Sequence, residues 1–169
     1  MPNTIKQAPA ILDIEASGFG KGAYPIEIGC VLPDGRTYCT LIYPEADWTA
    51  WSEEAEQAHG IKREFLLSRG KPPQTVAREL NELLGGMTVY SDGWPYDYGW
   101  LCLLYDVANL VPNFKLDTLQ KLLSEEQIEQ WLEAVVHSQH ALAIQRHRAS
   151  SDARIQQHAL SSMLGIPLV

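Results

Sequence analysis

Cysteine is scarce and unpaired. Cys30, Cys39 and Cys102 are the only three in 169 residues, and no C-x-x-C pair occurs, which argues against a disulfide framework and for a reducing compartment. Long apolar runs are missing as well. No stretch approaches the roughly 20 consecutive apolar residues that span a bilayer, and MPNTIKQAPA at the N-terminus lacks the apolar region of a secretory signal. A cytoplasmic chain with no membrane partner is the expectation. Positive charge is in deficit: 13 Lys and Arg stand against 21 Asp and Glu, a formal charge of -8, the wrong sign for a protein that coats nucleic acid nonspecifically. Any polyanion must therefore be held locally. The glycines Gly18, Gly20 and Gly22 match neither a P-loop nor the dinucleotide G-x-G-x-x-G spacing, so a nucleotide cofactor is not indicated. No repeat, low-complexity tract or Pro/Ser-rich linker divides the chain. The remainder, 46% hydrophobic and 20% charged, is an ordinary globular mixture, and the length suits one domain over residues 1–169 with its core at about 8–165.

Local patterns give an order of elements. Apolar runs over Ala8–Ile14 and Pro25–Leu32 read as strands, and Pro33-Asp34-Gly35 is a turn signal that joins the second to a β-rich Thr37–Tyr43 in an antiparallel hairpin. Ser52 can N-cap a short acidic helix that Gly60 stops. Val76, Leu80, Leu83 and Leu84 form an amphipathic stripe ending at Gly85-Gly86, followed by a strand over Met87–Ser91. Leu101, Leu104, Tyr105 and Ala108 repeat the stripe in a helix that begins near Pro95, and a short strand is expected around Phe114–Leu116. Ser124 and Gln127 make a capping box for a helix whose buried side carries Ile128, Leu132, Val135 and Val136, and a last helix runs to about Leu164 before Gly165. Strands first, then alternating helix and strand, describe a mixed-sheet α/β domain.

Three places could carry chemistry. Asp13 and Glu15 lie two apart on a strand, so both carboxylates leave the same face, and Mg²⁺ or Mn²⁺ neutralises such a pair best because hard cations prefer carboxylate oxygens. Taken alone, the pair is more economically read as a solvated strand end. His147 and Asp152 are five residues apart, about 140° around one helix, so they converge only if His147 sits on the turn before the helix, which Ser150 or Ser151 could cap. An imidazole beside a fixed carboxylate is the usual arrangement of a general base. Asp97 falls in the first turn of its helix, where the dipole alone favours an anion, and Asp92 is its rival. His137 and His140 form an unaccompanied H-x-x-H, which reads as a solvated helix face.

In order and spacing, these pieces resemble the DEDDh exonucleases, the family of proofreading exonuclease domains, ribonuclease T and the Trex-type enzymes. Asp13-Ile14-Glu15-Ala16-Ser17-Gly18-Phe19 matches the first motif, Tyr96-Asp97 with Trp100-Leu101 the second, and His147 through Asp152-Ala153 the third. Pro25-Ile26-Glu27-Ile28-Gly29, His59-Gly60-Ile61 and Leu116-Asp117-Thr118-Leu119 agree with secondary signals of the family, so the resemblance runs from about Ala8 to Ala159.

The resemblance implies a ribonuclease H-like fold: a mixed five-stranded sheet, an antiparallel hairpin plus parallel strands, flanked by helices. It implies two-metal hydrolysis from the 3′ end of single-stranded DNA or RNA to nucleoside 5′-monophosphates, with Mg²⁺ or Mn²⁺ held by Asp13, Glu15, Asp97 and Asp152 and with His147 as general base. Two dications would offset four of the eight excess negative charges. Ser17 and Gly18 would approach the terminal nucleotide, Phe19 would wedge against the last bases, and His59 would line the substrate site. Lys21, Lys62, Arg63, Arg146 and Arg148 are candidate phosphate contacts. Trp48, Trp51, Trp94 and Trp100 could stack bases, although core and loop packing is favoured for most of them. One departure stands out: Asp92-Gly93 replaces the His-Asn pair common ahead of the second motif's aspartate. That leaves a weak or inactive nucleic-acid-binding module on the same fold as the alternative, and leaves a homodimer open.

Overall fold

A computed structural model describes residues 7–167, so residues 1–6, the start of the segment that lacks a secretory pattern, lie outside the described residues. Five strands, β1 (Ala10–Ala16), β2 (Pro25–Val31), β3 (Thr37–Leu41), β4 (Thr88–Ser91) and β5 (Lys115–Thr118), form one sheet in the order β3-β2-β1-β4-β5. The β1–β2 and β2–β3 pairs are antiparallel, while β1–β4 and β4–β5 are parallel. Among the described residues, six α-helices flank the sheet: α1 (Glu53–His59), α2 (Arg63–Arg69), α3 (Pro73–Leu84), α4 (Trp94–Ala108), α5 (Glu125–Leu142) and α6 (Ala149–Leu164), with a 3₁₀ turn over Leu119–Leu122. This is the mixed five-stranded α/β architecture expected.

The alternation of β1 divides the core. Ala10, Leu12 and Ile14 face a cluster with Val76, Leu80 and Leu84 of α3 and Leu101, Leu104 and Tyr105 of α4. Ile11 faces the other side, against Ala153 and Leu160 of α6. Asp13 and Glu15 continue Ile11's face, so the period of two points both acids toward α6. The pairing of β1 with β2 slips between Glu15 and Ala16, a bulge that ends the regular ladder beside the two acids.

Caps fall where local chemistry demands them. Ser52 Oγ accepts the Ala55 N–H at the start of α1, and Gly60 closes it at φ 69°. The Ser124–Gln127 capping box is complete. Two short elements, α2 and the 3₁₀ turn, are too brief to leave a periodic stripe in the sequence. Two expectations need correction. The buried side of α5 is carried by Val135 and Ser138 with Trp131, Ala134 and Leu142 packing toward α6, whereas Ile128, Leu132 and Val136 are exposed. The helix bears two apolar stripes, and only the partner selects between them; Ser138 on the chosen stripe meets His158 Nδ1 at 2.9 Å. Neither Ser150 nor Ser151 caps α6, because the N-cap is Arg148, without a side-chain cap bond, and the Ala149 N–H goes to Glu27 Oε2 on β2 at 2.9 Å.

Candidate active site

A cleft of about 290 Å³ opens where β1 outruns β4, and Asp13, Glu15, Gly18, Phe19, His59, Tyr96, Asp97, Trp100, His147 and Asp152 are among its lining residues. Asp13 and Glu15 come from β1 and Asp152 from the first turn of α6, and one carboxylate oxygen of each lies within 4.8 Å of the other two. Asp97, from the first turn of α4, is buried beside this trio but outside it: the Ser91 hydroxyl at the end of β4 donates to its Oδ2, and the Ile14 N–H bonds its carboxylate.

Electrostatics at the cleft run against ionisation. Burial, then the charges of Asp97, Glu15 and Asp152, push Asp13 well above the ordinary carboxylate range, and only the Gln156 amide at 3.2 Å from its Oδ1 opposes them. Glu15 is pushed to about 7 by burial and by Asp152, Glu27 and Asp97. Burial also raises Asp97, to about 7, and Asp152, the latter opposed by the His147 N–H on its Oδ2 at 3.0 Å. The remaining oxygen, Asp152 Oδ1, is buried without a hydrogen-bond partner, with Arg146 Nε 3.6 Å away. An orphaned carboxylate oxygen among three crowded acids fits a hard divalent cation, which supplies the missing positive charge and favours oxygen donors of this kind.

Around the acids, His147 is exposed on the turn before α6 at φ 68°, the placement its spacing from Asp152 required. His59 is buried; its Nδ1 accepts the Ile61 N–H at 3.0 Å, which assigns the ring proton to Nε2, and that atom has no partner. Phe19 is 75% exposed and stands edge-on to Tyr96 at 5.4 Å, while Tyr96 stacks on Trp100 at 5.9 Å, so three aromatic rings wall the mouth of the cleft. Ser17 is not in that lining. It is buried below, its N–H bonded to Tyr24 O, its carbonyl to Ser52 N–H and its hydroxyl to Tyr24 N–H.

Among the basic candidates, Lys21 and Lys62 stay exposed, whereas Arg63 bonds Tyr24 Oη and Trp48 O, and Arg148 is engaged by Glu27. Trp48 and Trp51 pack on Tyr24, and Trp94 donates to Leu116 O, so packing accounts for three of the four tryptophans weighed for base stacking, while Trp100 faces the cleft. The supporting roles of Gln156, Ser91 and Glu27 are not announced by the sequence; Gln156 alone leaves a signal, four residues after Asp152 on the same helical face. A larger groove of about 710 Å³ lies between α4 and β5, but its Asp117 is neutralised by Lys115 and Lys121, both at 2.8 Å, which leaves the smaller cleft as the seat of unsatisfied charge.

Known proteins share this fold. No curated protein sequence matches the chain. The chain is similar in structure to Exonuclease I from Methylocaldum szegediense, at 13% identity and a TM-score of 0.68, covering 90% of this chain and 39% of that one. E. coli Exonuclease I in complex with a dA16 oligonucleotide gives 11% identity and a TM-score of 0.68 over 91% of this chain and 40% of that one. The zinc-bound form of the E. coli ExoI–ssDNA complex gives 13% identity and 0.67 over 92% and 41%. The chain thus spans about two fifths of the length of these structures, with which it shares the ribonuclease H-like fold. The model of the RNase_T family, described as Exonuclease, matches residues 10–159, a span that contains every acid of the cleft and the His147 turn, and the chain belongs to that exonuclease family.

Proposed function

We propose that the chain is a metal-dependent 3′-to-5′ exonuclease that hydrolyses single-stranded DNA or RNA ends to nucleoside 5′-monophosphates. The observation that carries this reading is the Asp13–Glu15–Asp152 cluster, with one buried oxygen orphaned, beneath a histidine and a wall of exposed aromatic rings. Asp13, Glu15 and Asp152 would hold Mg²⁺ or Mn²⁺, with Asp97 completing the set of four acids. Two such ions would supply positive charge to the attacking and leaving oxygens of an in-line displacement. His147 accepts the proton of the attacking water at its imidazole, from an exposed position that lets the ring enter the cleft with the substrate.

Phe19, Tyr96 and Trp100 stack on the terminal bases, a contact tolerant of sequence and suited to unpaired strands. Gly18, a buried glycine that lines the cleft beside Phe19, lets the backbone approach the last nucleotide, and the unpartnered His59 Nε2–H donates to an oxygen of that nucleotide. The oligonucleotide complexes of the structural relatives support a single-stranded substrate.

Incubation with 5′-labelled single-stranded DNA and RNA, with Mg²⁺, Mn²⁺ or EDTA, tests the reading. A ladder shortening from the 3′ end under metal alone is expected. Intact oligonucleotides under every metal with a folded protein overturn it in favour of a binding module, with Asp92-Gly93 as the first place to look for lost function.

A further inference from the structure

Glu27 is a buried acid with no part in the chemistry above. It lies directly across the β1–β2 ladder from Glu15, on the same face, and is 1% exposed, so by position it could be one more acid of the cleft. Its oxygens are committed elsewhere. Arg148 Nε donates to Oε1 at 3.1 Å and to Oε2 at 3.0 Å, Arg148 Nη2 donates to Oε1 at 2.5 Å, and the Ala149 N–H donates to Oε2 at 2.9 Å. A bidentate guanidinium with an added backbone donor saturates a carboxylate and fixes its partner's direction as well as its distance. The same strand admits the helix start two residues on: a Cβ at Gly29 would stand 2.3 Å from Ser150 N. β2 therefore seats the first turn of α6 by a gap at Gly29 and grips it by Glu27.

The residue just before the gripped pair is His147, whose φ of 68° lies in the left-handed region that a non-glycine side chain adopts at a cost of about 1–2 kcal/mol. Such a conformation persists only when its surroundings over-determine it. Here the His147 N–H is held by Asp152 Oδ2 at 3.0 Å, and the next two residues are held by Glu27, which leaves the imidazole itself free of bonds. Arg148 at the same time keeps the Glu27 charge matched by a bidentate pair, which separates it from Asp13 and Glu15 in the cleft.

We propose that Glu27 and Arg148 are positioning residues that act through His147, holding its backbone in the left-handed conformation that presents the imidazole to the cleft. Arg148 serves this latch and not a substrate phosphate. The inference rests on His147 being the general base, so its test carries its own control.

Cleavage kinetics are measured on the full chain for the parent, Arg148→Ala, Arg148→Lys, His147→Ala and the double variant His147→Ala/Arg148→Ala, with thermal melts to establish folding. His147→Ala is expected to lower kcat by roughly 10²–10⁴-fold, the usual worth of a general base. Arg148→Ala is expected to lower kcat by about 10–100-fold with KM changed less than about threefold, since misplacement of a catalytic group by an ångström costs on that order. Arg148→Lys, which keeps the charge but not the fork, falls between. The double variant matches His147→Ala within about twofold, because a residue that acts through another adds nothing once the other is gone. Should Arg148→Ala not fold, Arg148→Lys alone and in the His147→Ala background carries the same comparison. A rise in KM at unchanged kcat, or a loss on Arg148→Ala that persists in full without His147, overturns the latch while His147 stands. Parent activity in His147→Ala overturns the base assignment itself and the latch with it.

Discussion

Replacing Glu15 with Gln should stabilise the metal-free protein while abolishing its activity. Burial and the neighbouring charges of Asp152, Glu27 and Asp97 lift this carboxyl from 4.5 to about 7. In the unfolded chain the group releases its proton near 4.5, whereas the folded chain keeps it to about 7, so between those values the native state binds more protons and stability falls as pH rises. The stabilising protonated form is present below pH 4.5 and is lost as pH passes 7, the reverse of a salt-bridged acid. At about 1.4 kcal/mol per pH unit the full penalty is about 3 kcal/mol, and solvent reaching the part-exposed group trims it to about 2 kcal/mol. For a chain of this size that corresponds to a Tm rise of roughly 4–8 °C on Glu15→Gln at about pH 8 in EDTA, and to almost none at about pH 4.5, where the parent is already protonated. Mg²⁺ should raise the parent's Tm at the higher pH and move the variant's much less, since the ion relieves the same repulsion. Calorimetric melts at both pH values, with EDTA and with Mg²⁺, read all four conditions. A variant that melts at or below the parent at the higher pH in EDTA would refute the account of crowded, unneutralised acids.

Other perturbations follow the same logic. Phe19→Ala, at a ring 75% exposed, should leave Tm unchanged and weaken single-strand binding by about 1–3 kcal/mol, measured as KM or as affinity for an oligonucleotide on the Asp13→Ala protein. Gly29→Ala should cost about 1–3 kcal/mol or prevent folding, because its Cβ would meet the Ser150 backbone at 2.3 Å; a denaturant melt matching the parent contradicts the seating of α6 on β2. Leu132→Glu on α5 should change stability by less than about 0.5 kcal/mol, whereas Val135→Glu, three residues on, should cost several times that by burying a charge against α6; equal effects in urea melts would contradict the assigned face.

Features written in contiguous residues are legible in the sequence itself. The Pro33-Asp34-Gly35 hairpin, the Ser52 and Gly60 ends of α1, the Ser124–Gln127 capping box and the period-two pairing of Asp13 with Glu15 each depend on a few neighbours and on backbone geometry alone. Features set by a distant partner are not. The face that α5 buries depends on α6, because Ile128–Leu132–Val136 and Trp131–Val135–Ser138 are stripes of similar spacing on one helix. The cap of α6 is a carboxylate 122 residues away, which is why Ser150 and Ser151, both able to cap locally, sit inside the helix.

Within the cleft, the acids and His147 stand out in the sequence through the motifs that resemble the DEDDh pattern and not through spacing alone, whereas the supports do not stand out. Gln156 on Asp13 and Glu27 on Arg148 hold partners 143 and 121 residues away in the chain, and Ser91 reaches Asp97 six residues on, over the turn from β4 into α4. Ser17 shows the converse. It stands in the first motif, yet beyond the slip in pairing after Glu15 it turns down toward Tyr24, while Gly18 and Phe19 line the cleft and only Phe19 is exposed.

The claim that this acidic cleft hydrolyses strands from their 3′ ends is tested most directly by the first product released from a 3′-terminally labelled oligonucleotide in Mg²⁺, compared between the parent and Asp13→Ala. The account predicts labelled nucleoside 5′-monophosphate from the earliest times with the parent, and none with Asp13→Ala or with EDTA. A labelled fragment longer than one nucleotide, or release by Asp13→Ala at the parent's rate, would contradict it.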